Sequence, residues 1–212
     1  MWIPDRFALP ADEALEILHE MGSGDLVTPG PDGLQATFVP WVFDEGTGEL
    51  GVLRGHLARQ NPHWQLLRDT AAESLLIVHG PDSYISPNWY ASKATNPKVV
   101  PTWNYTTVHV HGRVVVHEEP DWILRQVNAQ TDKFEEPFAE PWRVRDAPAD
   151  FVAGLARAIV GVELRVSRIE AKAKQSQNRP AEDVVSLVQG LRSVGDHDGA
   201  SAVADANRHR LR

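Results

Sequence analysis

The sequence predicts a mainly β fold, with antiparallel strands in a closed or nearly closed barrel and helices packed outside it. Three observations lead there. The stretch VVPTWNYTTVHVHGRVVVH, Val99 to His117, alternates with a period of two. It sets Val108, Val110 and Gly112 on one face and Thr107, His109 and His111 on the other. Two turn signals, PGPDG at 29–33 and DEGTG at 44–48, join strand-like segments into a meander. The chain carries no βαβ alternation, no GxGxxG and no P-loop, which argues against a parallel nucleotide-binding sheet.

Taken in order, Asp12 to Met21 reads as a helix with Ala14, Leu15, Ile17 and Leu18 as its apolar positions. Strands are expected at Asp25–Thr28, Gln35–Phe43 and Glu49–Gly55. A helix should begin at Pro62, where proline suits the first turn. Leu75–Val78 is a short apolar run, read as a central strand. After the 99–117 strand, Pro120 opens a helix with Trp122, Ile123, Val127 and Phe134 along one stripe. Asp150 to Ala158 is a short helix, Gly161–Glu170 a last strand, and Ala181–Leu191 an amphipathic helix. The tail from Gly195 to residue 212 is poor in apolar residues and is expected to be disordered. No repeat or linker divides the chain, so one domain over residues 1–194 is expected.

Composition narrows the function. The net charge of −8 argues against a surface that holds nucleic acid by neutralising phosphates. With no cysteine there are no disulfides and no thiolate chemistry. The N-terminus lacks a signal-peptide pattern and no apolar run reaches membrane-spanning length, so a cytoplasmic protein is expected. Seven tryptophans are many for 212 residues, and some are expected at a ligand site or an interface.

Three chemistries compete. His109 and His111 share a strand face, but no carboxylate accompanies them in the sequence, and no metal site is expected. Ser86 has no GxSxG around it, which sets aside a serine hydrolase. An anion site is better supported. His56, Arg59, Asn61, Lys172, Lys174 and Arg179 are cationic or amide groups at strand ends and in loops. Arginine offers forked donors to phosphate oxygens and lysine a point charge. Trp103 and Tyr105 in PTWNY add flat faces with polar edges. Together these suggest a ligand with a planar ring and an anionic tail, a description that FMN fits.

The motifs MWIPDRF, GHLARQNPHW at 55–64, GPDSYISPNWY at 80–90, VPTWNYTTVHVHG at 100–112 and KAKQSQNRPAED at 172–183 resemble the PaiB-type FMN-binding negative transcriptional regulators. The resemblance runs from residue 1 to about residue 192. It implies a six-stranded antiparallel split barrel related to pyridoxamine phosphate oxidases, a homodimer, and FMN bound between the subunits. It further implies that His56 and Arg59 lie near the FMN phosphate, with Asn61 shaping the turn beside them. Thr102, Trp103, Asn104 and Tyr105 would line the ring or the dimer interface. Lys172, Ser176, Gln177, Asn178 and Arg179 would come from the late strand and its loop. The family label implies gene repression. The residues offer no basic recognition helix, so direct DNA binding is not expected, and regulation would run through flavin state or an unidentified protein partner. An FMN-dependent oxidoreductase of the flavin reductase or pyridoxamine phosphate oxidase kind is the alternative, and the residues do not decide whether the protein is an enzyme. No catalytic residue is assigned.

Overall fold

Seven strands, six helices and several 3-10 turns make up the computed structural model, which describes residues 1–211. The helices are α1 (Ala11–Glu20), α2 (His63–Asp69), α3 (Pro120–Glu135), α4 (Ala149–Ala156), α5 (Ala181–Ser193) and α6 (His197–Ala206). The strands are β1 (Ser23–Gly30), β2 (Gly33–Pro40), β3 (Val42–Asp44), β4 (Val52–Ala58), β5 (Ser74–Ile85), β6 (Thr102–His117) and β7 (Ile159–Lys174). They form one sheet in the order β2-β1-β5-β6-β7-β4-β3, and β1/β2, β1/β5, β3/β4 and β4/β7 pair antiparallel.

The chain divides into two compact units. One comprises residues 15–78 and 109–170. The other comprises residues 1–14 and 79–108 and the chain from Ala171 onward. The long strands β5, β6 and β7 each belong partly to both, so the sequence holds no linker between them.

In the first unit, β1 and β2 make a hairpin with Gly30 opposite Gly33, which leaves two residues, Pro31 and Asp32, in the loop. β1 alternates half-buried and buried positions, as a strand with one covered face should. Leu26, Val39, Trp41, Leu53 and Leu164 are completely buried. Gly112 is required where β6 meets β7: a Cβ there would lie 2.0 Å from the Arg165 carbonyl oxygen. In the second unit, α5 presents Val184, Leu187, Val188 and Leu191 at helical spacing to a core that includes Ile85, Tyr90, Ala200 and Val203.

Several expectations are corrected here. The sheet has seven strands, not six, because the expected strand 35–43 breaks in two. Pro40 has no N–H for a ladder, and the Trp41 N–H turns to the Gly22 carbonyl (3.2 Å), so β2 ends and β3 begins beyond it. β5 runs on to Ile85, well past the apolar run that revealed it. The tail is not a disordered segment: α6 is capped by Asp196, whose side chain accepts from the Gly199 N–H, and it buries Ala200 and Val203 completely. Small alanines and one valine give that helix little hydrophobic signal, yet they fit against α5.

Candidate functional site

In the unit that contains the chain end, the start of β6 and the end of β7 gather most of the predicted ligand residues. Lys172 and Lys174 sit two apart on β7 and so share a face. The Lys172 ammonium donates to the Tyr105 hydroxyl (2.7 Å) and the Trp2 carbonyl (3.4 Å), and lies over the Trp2 ring. Lys174 donates to the Thr102 hydroxyl (2.6 Å) and the Trp103 carbonyl. Burial holds Lys174 below the usual lysine value. The charges of Lys172 and Arg179 act in the same direction, and Tyr105 in the opposite one. The Arg179 guanidinium lies 4.1 Å from the Tyr90 ring centroid. Among the described residues, none of these three cations is paired with a carboxylate.

The connecting loop is fixed by its own polar groups. Asn104 is buried and exchanges hydrogen bonds with the Ser176 hydroxyl (3.0 Å). Ser176 has φ 64°, a left-handed conformation that a non-glycine residue holds only when its surroundings fix it. The Gln177 side chain accepts from the Gln175 N–H and donates to the Ala173 carbonyl, both at 2.7 Å. Gln175 is itself buried and donates to Thr106 (3.1 Å). Asn178 is exposed at the loop tip. The tail supplies the remaining clamps. Buried Asn207 donates to the Gln175 carbonyl (2.9 Å), and Arg210 donates to the Gln177 and Arg179 carbonyls. Asn207 and Arg210 were missed by sequence reasoning, because the tail's composition gave no reason to expect order there.

His56, Arg59 and Asn61 belong to the other unit, where each has a partner of its own. His56 Nδ1 is 3.1 Å from the Gln126 amide oxygen, and burial holds this imidazole below its usual value against that bond. Arg59 donates to the Arg157 carbonyl (2.9 Å), the Ile159 carbonyl (3.2 Å) and the Glu118 carboxylate (2.6 Å). Asn61 donates to Thr37 (3.2 Å) and accepts from the His63 N–H (3.0 Å), which caps the start of α2.

The group at β6 and β7 fits a flavin mononucleotide. Unneutralised cations suit a phosphate, while the aromatic rings of Tyr105 and of half-exposed Trp103 suit a planar ring system.

Comparison with known proteins points to the same cofactor. A family model described as "Putative FMN-binding domain" matches residues 1–168, so Lys172 to Arg179 lie beyond the matched part. A protein of Aspergillus fumigatus is 32% identical over 206 residues, covering 78% of this chain and 79% of its own length. The protease synthase and sporulation protein PAI 2 of Bacillus subtilis is 27% identical over 213 residues, covering 100% of this chain and 99% of its own. Among solved structures, the conserved protein Rv2991 of Mycobacterium tuberculosis has a TM-score of 0.59 at 15% identity, over 85% of this chain and 94% of that one. An FAD and heme binding protein of Mycobacterium smegmatis has a TM-score of 0.58 at 14% identity, over 86% and 80%. At such identities these two structures show a shared fold alone.

Proposed function

The chain belongs to the PaiB-type family of FMN-binding domains, with FMN as its cofactor, and on that premise we propose that it holds the FMN phosphate with Lys172, Lys174 and Arg179. The observation that carries this is the gathering of three cations with no carboxylate among their partners. When bound, FMN supplies one- and two-electron redox chemistry. Lys172 and Lys174 bring positive charge to the anion. The Asn104–Ser176 pair keeps the loop in register, and Thr102, Trp103 and Tyr105 flank the ring, with Gln177 and Asn178 at the loop's outer side. A second reading puts the phosphate at Arg59 and His56 beside Asn61. It is favoured by their place just before α2, and weakened by the carboxylate that already holds Arg59.

The same proposal takes the sheet as a split barrel and the assembly as a homodimer. The chain path supports the first: β2 and β3 are at opposite edges of the sheet, yet only Trp41 lies between them. Exposed Trp2 and Phe38 support the second, as apolar surface that a second copy would cover. We place the protein in the cytoplasm, consistent with its acidic, cysteine-free composition. Among the described residues, no helix is long and apolar enough to cross a membrane. The Bacillus subtilis relative is named for protease synthesis and sporulation, and we take that connection as the support for a regulatory role. With a net charge of −8, that role is indirect, through flavin state or a protein partner.

An FMN-dependent oxidoreductase is the second functional reading. The Tyr105 phenol favours it, because this hydroxyl, bonded to Lys172 (2.7 Å), would stand beside the ring as a proton carrier. Stopped-flow absorbance of the FMN-loaded protein separates the two. A regulator should show no fast flavin reduction by NADH or NADPH. Fast reduction followed by reoxidation with an acceptor would establish the enzyme instead. Light scattering at micromolar concentration checks the dimer, and a monomer there would remove it.

A further inference from the structure

We propose that His109, His111 and Glu170 form a binding site for a divalent transition-metal ion, zinc foremost. The two histidines occupy alternate positions on β6, which puts both imidazoles on one face of the strand. The sequence showed no carboxylate for them. The fold supplies one from β7: Glu170 Oε2 lies 3.0 Å from His111 Nε2. One ligand atom from each of the three residues can be chosen so that all lie within 4.8 Å of one another.

These distances suit a metal. With zinc–nitrogen and zinc–oxygen bonds near 2.0–2.1 Å, neighbouring ligand atoms of a tetrahedral site are about 3.3 Å apart. His111 and Glu170 are already that close, and the widest pair needs to close by only about 1.5 Å, within reach of side-chain rotation. Two imidazoles and one carboxylate are a donor set for zinc, and a cysteine-free chain has no thiolate to draw the ion elsewhere. Three protein ligands leave the fourth position to a water molecule or a small ligand.

The surroundings fit. His111 and Glu170 are largely buried, at 19% and 20% side-chain exposure, so the ion would be shielded but reachable. The main chain at His111 is held by the Ser167 hydroxyl, which donates to its carbonyl (3.1 Å). Arg168 donates to the same Glu170 oxygen (2.7 Å) and competes with an ion for it. Its own side chain is more than half exposed, so it can stay as an outer partner or move into water without stranding a buried charge. A bound ion would tie β6 to β7 through three side chains.

The test uses the full-length chain, stripped with a chelator and gel-filtered, then titrated calorimetrically with zinc chloride. One ion per chain is expected. His111→Ala and His109→Ala should each weaken binding by about a hundredfold or more, the upper end of what losing even an outer partner costs. His209→Ala, in the tail, should leave it unchanged. Absence of stoichiometric binding, or binding that survives both β6 substitutions, would overturn the proposal. Cobalt(II) titration of the wild-type chain covers variants that fail to fold. A strong visible band from a four-coordinate nitrogen and oxygen site supports the site. The weak spectrum of the free six-coordinate ion rejects it.

Discussion

Arg59 and Lys174 are both cations at strand ends, and the chain surrounds them in opposite ways. Arg59 spends its donors on two main-chain carbonyls and the Glu118 carboxylate, while the Arg59 carbonyl accepts from the Trp64 indole N–H. It is a strut that joins the end of β4 to the start of β7, with its charge already balanced. Lys174 meets a hydroxyl and a carbonyl, and its pKa is lowered by burial first and by the charges of Lys172 and Arg179 after it. Keeping like charges together without a counter-ion costs stability. Such an arrangement is understandable where an anion is to be bound. Both residues read alike in the sequence, and only their partners in the fold set them apart.

The largest expected effect comes from removing the clamps on the Lys174 side. Deleting the chain from Asp196 onward takes away α6 with its buried Ala200 and Val203, together with Asn207 and Arg210. The loss should be about 3–5 kcal/mol, or a fall in Tm of roughly 10 °C or more, accompanied by weakened FMN binding. A truncated chain that melts and binds like the full one would show that the tail holds nothing. Asn207→Ala is the milder form. It removes the donor to the Gln175 and Val203 carbonyls and should cost about 1–3 kcal/mol.

Arg59→Ala should cost stability rather than phosphate affinity. With its side chain about a third exposed and its ion pair partly screened, about 1–2 kcal/mol is expected, read as a lowered urea midpoint. An unchanged midpoint would mean that Arg59 is no strut.

A smaller effect follows pH and centres on the Arg59 side, where His56 and His63 are held below the usual imidazole value of 6.5, chiefly by burial. The unfolded chain therefore takes up protons near pH 6.5 that the folded chain does not accept until lower pH. Stability should be full above that value and fall as pH drops through it. Melting at pH 7.5 and 5.5 should show the decline, and His63→Asn should flatten it. A decline of the same size in that variant would assign the protons elsewhere.

The sequence made the period of β6 plain: Val108, Val110 and Gly112 are buried, as their alternation required. It also showed the turn residues between β1 and β4, and the polar groups at the ends of β6 and β7. What stayed hidden was pairing across long separations. Nothing local tells that Glu118 neutralises Arg59, that Glu170 stands beside His111, or that Asn207 holds the Gln175 carbonyl. The break at Trp41 was hidden for a related reason, because its N–H leaves the strand for a carbonyl on another segment. Alternation reports which face is covered, whereas partners are chosen by the tertiary fold.

The most direct measurement is a pair of titrations, FMN and riboflavin, into wild type, Lys174→Gln and Arg59→Ala. Riboflavin lacks the phosphate, so the ratio of the two affinities isolates the phosphate contact. A charge-assisted hydrogen bond contributes roughly 1.5–3 kcal/mol, so Lys174→Gln should lose about ten- to a hundredfold in FMN affinity. It should leave riboflavin nearly unchanged, and Arg59→Ala should keep the wild-type ratio. The opposite pattern, with the phosphate preference lost in Arg59→Ala and kept in Lys174→Gln, would contradict the account and move the phosphate to the start of α2.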